Sequence, residues 1–276
     1  MPPGNPKRPK LGQNFLVSPS AQTAIADALG DVAHRTVVEI GPGRGAITAI
    51  LAARAHRLIA IELDRELAPR LREQFADRLG VSIFEQDILT ADFASLRGAG
   101  EDKLLVVGNL PYYITSDILL HLFAAHQHID RAVLMIQREV ADRVAASPGT
   151  RDYGLLSATT QLYARVEKLF TLPPGAFSPP PQVHSTVLRL TMSPRFAELG
   201  LVPTPDRPDP ASGFIAFLRI GFAQKRKMLA KNLRTAGYDA DAITSAFQGC
   251  GIPPQSRAEQ LELPAMACLF HTLTNR

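Results

Sequence analysis

Cysteine is scarce in this 276-residue sequence: Cys250 and Cys268 are its only two. They fit no metal-binding or redox spacing, so zinc modules and disulfide scaffolds are excluded, and two small buried thiols of a reducing compartment are expected. Long apolar runs are missing as well. The greasiest stretch, Ile50 to Ile61, is broken by Arg54, His56 and Arg57 and falls short of a membrane span. Near the start, Lys7, Arg8 and Lys10 are followed by no apolar segment, because Gln13, Asn14 and Ser18 intervene, so a secretory leader is not expected. These absences point to a cytoplasmic protein with no membrane partner, and no residue set suggests a metal. The third absence is local. From Ala211 to Tyr238 there is no acidic residue, while Arg219, Lys225, Arg226, Lys227, Lys231 and Arg234 all fall there. The formal net charge is only +4, so the basic charge is concentrated. Such a run is either a solvated helix face or the footprint of an anionic polymer, and a nucleotide-handling core upstream favours the second. In a helix, Lys227 and Lys231 at i,i+4 would share a face.

What is present is an alternation of short apolar runs and amphipathic stretches. Residues 36–40, 58–62, 81–85, 104–107 and 132–137 read as buried strands, and 46–54 and 66–79 have helical spacing. Ser18-Pro19 suggests an N-cap with proline at N1, opening a helix through Leu29. Residues 166–172 and 183–190, separated by prolines, read as an antiparallel addition at one sheet edge. Pro203, Pro205, Pro208 and Pro210 then precede an all-helical segment in which Ser256 and Glu259 suggest a capping box. No internal repeat is visible. The expected architecture is α/β, a Rossmann-like fold with a mostly parallel seven-stranded sheet over 1–200 and a small all-α domain over 201–276.

The strongest local signal runs from Val37 to Ala46, a strand entering Gly41-Pro42-Gly43-Arg44-Gly45 and then a helix. Glycines let a ligand approach the backbone, and the helix start offers free N–H groups. Alone, this turn also fits a dehydrogenase dinucleotide fingerprint. Glu39 ahead of the turn changes the balance. It gives the acidic-x-Gly-x-Gly-x-Gly pattern typical of methyltransferases, where an acid under the loop can orient its amides and suits a cationic ligand better than a pyrophosphate. Glu62, at the end of the second strand, can accept both ribose hydroxyls, and Asp87, after the third, can accept from an adenine amine. The cofactor expected is S-adenosylmethionine.

The fourth strand ends in Asn109-Leu110-Pro111-Tyr112. Adenine's exocyclic amine is a poor nucleophile because its lone pair is delocalised into the ring. The Asn109 side-chain oxygen and the Leu110 carbonyl can accept both amino hydrogens and favour a pyramidal nitrogen. Pro111 fixes the turn, and Tyr112 can stack on a base taken out of its helix.

These segments, with Leu11–Leu16, Gln137–Arg143, Phe177–Val183 and Phe222–Leu229, occur in order and closely resemble the ribosomal RNA adenine dimethyltransferases across nearly the whole chain. The resemblance implies a cofactor set of Asn14, Leu16, Gly41, Glu62, Asp87 and Asn109. It also implies Phe177 as a second stacking ring opposite Tyr112. The implied reaction dimethylates the N6 amines of two adjacent adenines in a hairpin loop near the 3′ end of small-subunit ribosomal RNA, in the context of the small ribosomal subunit. A monomer is expected. Lys225, Arg226, Lys227, Lys231 and Arg234 are the expected RNA contacts. Two residues depart from the family pattern: Gln182 stands where lysine is expected and His184 where aspartate is, which bears on local RNA contacts.

Four rival readings remain open at this point. One is a large-subunit ribosomal RNA adenine methyltransferase of the antibiotic-resistance type. The others are a DNA adenine methyltransferase, a non-catalytic ribosome-assembly factor on the same fold, and a nicotinamide dehydrogenase.

Overall fold

The computed structural model describes residues 14–100 and 102–274; the Leu11, Gly12 and Gln13 portion of the first motif lies outside them. In chain order the elements begin β1 (Phe15–Leu16), α1 (Pro19–Asp27), β2 (Thr36–Ile40), α2 (Ala46–Ala52), β3 (Arg57–Glu62), α3 (Leu67–Gln74) and β4 (Val81–Glu85). There follow α4 (Phe93–Arg97), β5 (Leu104–Asn109), α5 (Thr115–Ala124), β6 (Ile129–Gln137), α6 (Arg138–Val144), α7 (Leu155–Tyr163), β7 (Ala164–Leu172), β8 (Phe177–Ser178) and β9 (Ser185–Met192). The chain closes with α8 (Pro210–Gly221), α9 (Leu229–Thr235), α10 (Ala240–Gly249) and α11 (Leu263–Thr274).

The main sheet has seven strands in the order β4-β3-β2-β5-β6-β9-β7. Its first five strands pair in parallel, while β9 pairs antiparallel with both β6 and β7. The expected edge addition is therefore present, with β9 inserted between β6 and β7. Every residue of β2 is buried, Glu39 included, because helices cover both faces of the strand. One face packs Val38, Val106, Leu134 and Leu188 against α5, α6 and α7. The other packs Val37, Val107, Met135 and Val187 against α1 and α2. The proline-rich excursion between β7 and β9 carries β8 back to pair with β1, setting Leu16 opposite Phe177.

A third core joins α8–α11 and draws in Tyr153, Ala158 and Leu162 from the segment ahead of residue 200. Asp209 caps α8 by accepting from the Ser212 N–H. Two expectations about this region are corrected. Ser256 and Glu259 form no capping box: Ser256 is buried, its carbonyl accepts from Leu229, and the local turn is closed by Gln260 accepting from the Arg257 N–H. The two cysteines are not separate thiols, since the end of α10 lies against α11 with the Cα atoms 5.9 Å apart and Cys250 and Cys268 form a disulfide. Among the described residues no helix is long and apolar enough to cross a membrane.

Candidate active site

A cavity of about 320 Å³ opens at the carboxyl ends of β2, β3, β4 and β5, the usual ligand position in an open α/β sheet and within the size range of small-molecule sites. Asn14, Gly41, Glu62, Asp87, Asn109, Leu110 and Tyr112 line it, so the structure brings together most of the residues singled out in the sequence. Leu16 and Phe177 are the exceptions. They face each other across the β1–β8 pair, both are buried in the core over α1, and neither lines the cavity. Phe177 is only 4% exposed.

Gly43 shows why the turn needs glycine. Its φ is +60°, and an added Cβ would sit 3.0 Å from the Phe15 ring, so a side chain there meets both backbone strain and a neighbour that closes the cavity. Phe15 is a lining residue that the sequence reading missed. The Arg44 guanidinium lies 4.3 Å from its ring centroid, and the Gly43–Phe15–Arg44 contact links two motifs far apart in sequence.

The acid that holds the glycine loop is Glu62. Its two oxygens accept from the Gly43 N–H at 3.1 Å and the Asp64 N–H at 2.9 Å. Burial pushes its carboxyl up from the usual range, against the lowering effect of those N–H donors. Glu39 does not orient the loop amides, contrary to what its place in the sequence pattern suggests. It is 2% exposed, it lies under the loop beside Thr48, and its Oε2 has no partner among the described residues. The Gly41 N–H goes instead to the Ile61 carbonyl and the Gly45 N–H to the Pro42 carbonyl, so the loop amides have other acceptors. Desolvation raises the Glu39 carboxyl to about 7. Asp87 accepts from the Leu89 N–H at 2.9 Å through one oxygen, which leaves the other for a ligand.

The turn from Asn109 to Tyr112 is fixed from two sides. Asn109 Nδ2 donates to the Asn14 carbonyl at 3.0 Å. A carbonyl can only accept, so this bond decides the amide orientation and leaves Asn109 Oδ1 as the free acceptor. The Leu110 N–H donates to the Met135 carbonyl at 3.0 Å. Pro111 has no N–H, so the Leu110–Pro111 peptide presents an acceptor and no donor. The Tyr112 and Ser185 hydroxyls are 3.2 Å apart, which ties the ring to the start of β9. Tyr113, 64% exposed, stands at the rim.

The basic cluster is not one helix face. Lys225, Arg226 and Lys227 lie in the turn between α8 and α9, and only Lys231 and Arg234 are on α9. Met228, extended at ψ 143°, separates the two groups, which corrects the i,i+4 pairing of Lys227 with Lys231. Buried Asn232 pins the turn by donating to the Gly221 and Gln224 carbonyls at 2.6 and 3.3 Å. Lys225 donates to the Arg151 carbonyl. Arg226, Lys227, Lys231 and Arg234 are exposed, with no carboxylate partner among the described residues.

A Rossmann-like sheet, a glycine turn held by a strand-end carboxylate, and a turn that leaves the Asn109 Oδ1 and Leu110 carbonyl acceptors unpaired among the described residues, beside a nucleoside-sized cavity, point to a methyltransferase of the α/β class. The sequence profile described as "Ribosomal RNA adenine dimethylase" matches residues 4–275, and the chain belongs to that family. It is 62% identical over 269 residues to "Ribosomal RNA small subunit methyltransferase A" of Acidobacterium capsulatum, covering 98% of this chain and 92% of that protein. Its identity to the protein of the same name from Koribacter versatilis is 52%, covering 97% and 94%. Among solved structures, a dimethyladenosine transferase from Plasmodium falciparum superposes with a TM-score of 0.76 at 22% identity, covering 92% of this chain and 95% of that one. The 23S rRNA methyltransferase ErmE does so at 0.69 and 24%, covering 94% and 99%. At those identities both likenesses speak to the fold alone.

Proposed function

We propose that this chain transfers methyl groups from S-adenosylmethionine to the N6 amines of two adjacent adenines in a hairpin loop near the 3′ end of small-subunit ribosomal RNA. The product is N6,N6-dimethyladenosine at both. The observation that carries the reading is the pair of acceptors, Asn109 Oδ1 and the Leu110 carbonyl, unpaired among the described residues and carried by two adjacent residues that line the cavity, in a chain 62% identical to a protein named for small-subunit RNA methylation. The discriminating experiment is methyl transfer to small-subunit particles that lack the modification, followed by nucleoside analysis. Dimethyladenosine is expected; methylation of large-subunit RNA instead would overturn the target.

The residues present fit the cofactor. A strand-end carboxylate, a second carboxylate with one open oxygen and a cavity of about 320 Å³ suit a nucleoside bearing a positive charge. When bound, S-adenosylmethionine supplies an electrophilic methyl group. Glu62 is assigned to the ribose hydroxyls, Asp87 to the adenine amine, and Asn14, Gly41 and Asn109 to the remaining contacts. Leu16, which the family resemblance gives to the cofactor as well, is buried in the core outside the cavity lining. At the target base, Asn109 Oδ1 and the Leu110 carbonyl accept the two amino hydrogens and draw the nitrogen lone pair out of conjugation. Tyr112 stacks on the ring, and Phe177 joins it only by leaving its place against Leu16. No strong base is needed, since the methylated amine is acidic enough to give its proton to water. We read the chain as acting as a monomer, and a ribosomal RNA substrate fits a cytoplasmic location. We divide it into a cofactor domain over 1–200 and an RNA-gripping helical domain over 201–276.

Glu62→Gln is expected to weaken cofactor binding roughly tenfold, about 1–2 kcal/mol. One amide oxygen can serve Gly43 or Asp64 but not both. Calorimetry on the folded variant checks this, and unchanged affinity would remove Glu62 from the site.

Arg226 and Lys227, exposed on the pinned turn, are assigned to the RNA backbone with Lys231 and Arg234; Lys225, bound to Arg151, is assigned to holding the turn as well. Changing Arg226 and Lys227 together to Gln should lower RNA affinity and flatten the slope of log affinity against log salt by about two. Cofactor affinity should stay the same. Equal slopes and affinities would make the turn a solvated surface.

A further inference from the structure

At the same end of the sheet as the cofactor cavity, α6 packs on β7 and β9 and leaves a second pocket. It is lined by Arg138, Asp142, Lys168, Phe170, Thr171 and Thr186, among others. The α/β fold itself does not call for this set. Arg138 and Asp142 lie one turn apart on α6, with 4.0 Å between their charged atoms, and Lys168 reaches the same carboxylate from β7 at 3.1 Å. Two cations therefore share one acid, so the pocket keeps a net positive charge. Both cations are more than half exposed, at 62% and 52% of their side chains, and so remain open to a ligand. The floor is polar in a way that suits an anion. The Thr171 and Thr186 hydroxyls are 3.0 Å apart across a β7–β9 pair. One proton suffices for their mutual bond, which leaves the other hydroxyl free to donate. Thr186 is 2% exposed and so held in place.

The position matters as much as the chemistry. Ser185, which meets the Tyr112 hydroxyl, and Thr186, which floors this pocket, are successive residues of β9 and point to opposite faces of the sheet. Arg138 directly follows Gln137, which pairs with Ser185. A nucleic-acid strand that leaves Tyr112 and passes over the rim of the sheet meets Arg138 and Lys168 next. We propose that this pocket binds a backbone phosphate of the RNA strand flanking the target adenine, as a site separate from the basic turn between α8 and α9. The proposal rests on the methyltransferase reading only for the placement of the base.

The ligand chemistry is a phosphate, and two sources are possible: the RNA backbone or free inorganic phosphate. Binding to small-subunit particles and to a generic RNA hairpin is measured across a salt series for the wild type, Lys168→Gln, Lys168→Arg and Asp142→Asn. Inorganic phosphate titration is run alongside, and thermal melting confirms that each variant folds. Lys168→Gln is expected to weaken RNA binding three- to tenfold and to flatten the salt slope by about one. Lys168→Arg should restore both, and cofactor affinity should not move. Asp142→Asn should act in the opposite direction, tightening RNA binding and steepening the slope, because it frees two cations from a competing carboxylate. A merely structural ion pair would lose stability in that variant without gaining RNA affinity. Unchanged slopes in both Lys168→Gln and Asp142→Asn would overturn the proposal. Millimolar inorganic phosphate binding that Lys168→Gln abolishes while RNA binding stays the same would overturn the backbone assignment in favour of the free ion. Because the readout is RNA binding, failure of the wild type to methylate particles would count against the proposed reaction and not against the pocket.

Discussion

Asn109→Ala is expected to lower methyl transfer on the order of 100- to 1000-fold, the usual effect of removing one preorganised polar group at a reacting centre. Cofactor affinity should fall much less. The side chain does two things at once. Its Nδ2 holds the Asn14 carbonyl at 3.0 Å, and its Oδ1 is left as an acceptor unpaired among the described residues, on a residue that lines the cavity. The first fixes the second, so truncation removes an oriented acceptor and leaves the Asn14 carbonyl without that donor. Asn109→Asp separates the two effects. A carboxylate there keeps an acceptor towards the cavity but sets a charge against the Asn14 carbonyl, so it should lose cofactor-loop order as well as rate. Single-turnover rates at saturating cofactor, with affinity measured separately, distinguish rate from binding. A truncated variant that keeps full turnover would show that the amine is activated by the Leu110 carbonyl alone.

Much of this site was legible because each of its parts is local. Glu39-x-Gly-x-Gly-x-Gly45, Glu62 at a strand end, Asp87 after a strand and Asn109-Leu-Pro-Tyr112 are short segments whose backbone geometry follows from the residues themselves, and the sheet then brings their ends to one cavity. The mostly parallel sheet with an antiparallel addition at one edge was legible as well, since apolar runs alternating with helical spacing leave few topologies, whereas the order of the strands was not. What was missed depends on tertiary contact. Phe15 reaches the cavity because β1 pairs with β8, a long-range match that no periodicity announces; glycine at 43 opposite an aromatic is visible only once the two meet. Glu39 and Glu62 could not be told apart by sequence, as both are acids beside the loop. Only the register that sets Glu39 on a fully buried central strand and Glu62 at the open end of its neighbour decides which one meets an amide. The disulfide has the same origin: 18 residues separate Cys250 from Cys268, and the packing of α10 on α11 closes the gap. Likewise the basic run between residues 225 and 234 looked like one helix because its composition is uniform, whereas Met228 turns the backbone out of helix between its two halves.

Glu39 carries the second large expected effect, on stability against pH. Its carboxyl titrates near 7 in the folded protein, against 4.5 for an ordinary glutamate, because burial without a full set of partners penalises the charged form. Between those two values the folded chain holds a proton that the unfolded chain has lost, so stability falls as pH rises through that window. Below 4.5 both states are protonated and the stability is fullest; above 7 both are ionised and the loss is complete. At about 1.4 kcal/mol per pKa unit, the total comes to about 3 kcal/mol. Glu39→Gln, uncharged at every pH and nearly the same shape, removes this dependence. The variant should match the wild type near pH 4 and exceed it by up to about 3 kcal/mol at pH 8. Glu62 is shifted in the same direction and remains in both proteins, so the quantity to follow is the difference between them. Denaturant midpoints measured for both from pH 4 to 8 supply it. A difference that stays flat across that range would mean that Glu39 is ionised and partnered in solution. If the difference grows as expected, the glutamate is a buried acid retained at a cost to the fold, and the compensation must lie in the loop above it. A negative charge beneath Gly41 to Gly45 favours a cationic ligand, so the variant that gains stability should bind S-adenosylmethionine more weakly at pH 8 than the wild type does.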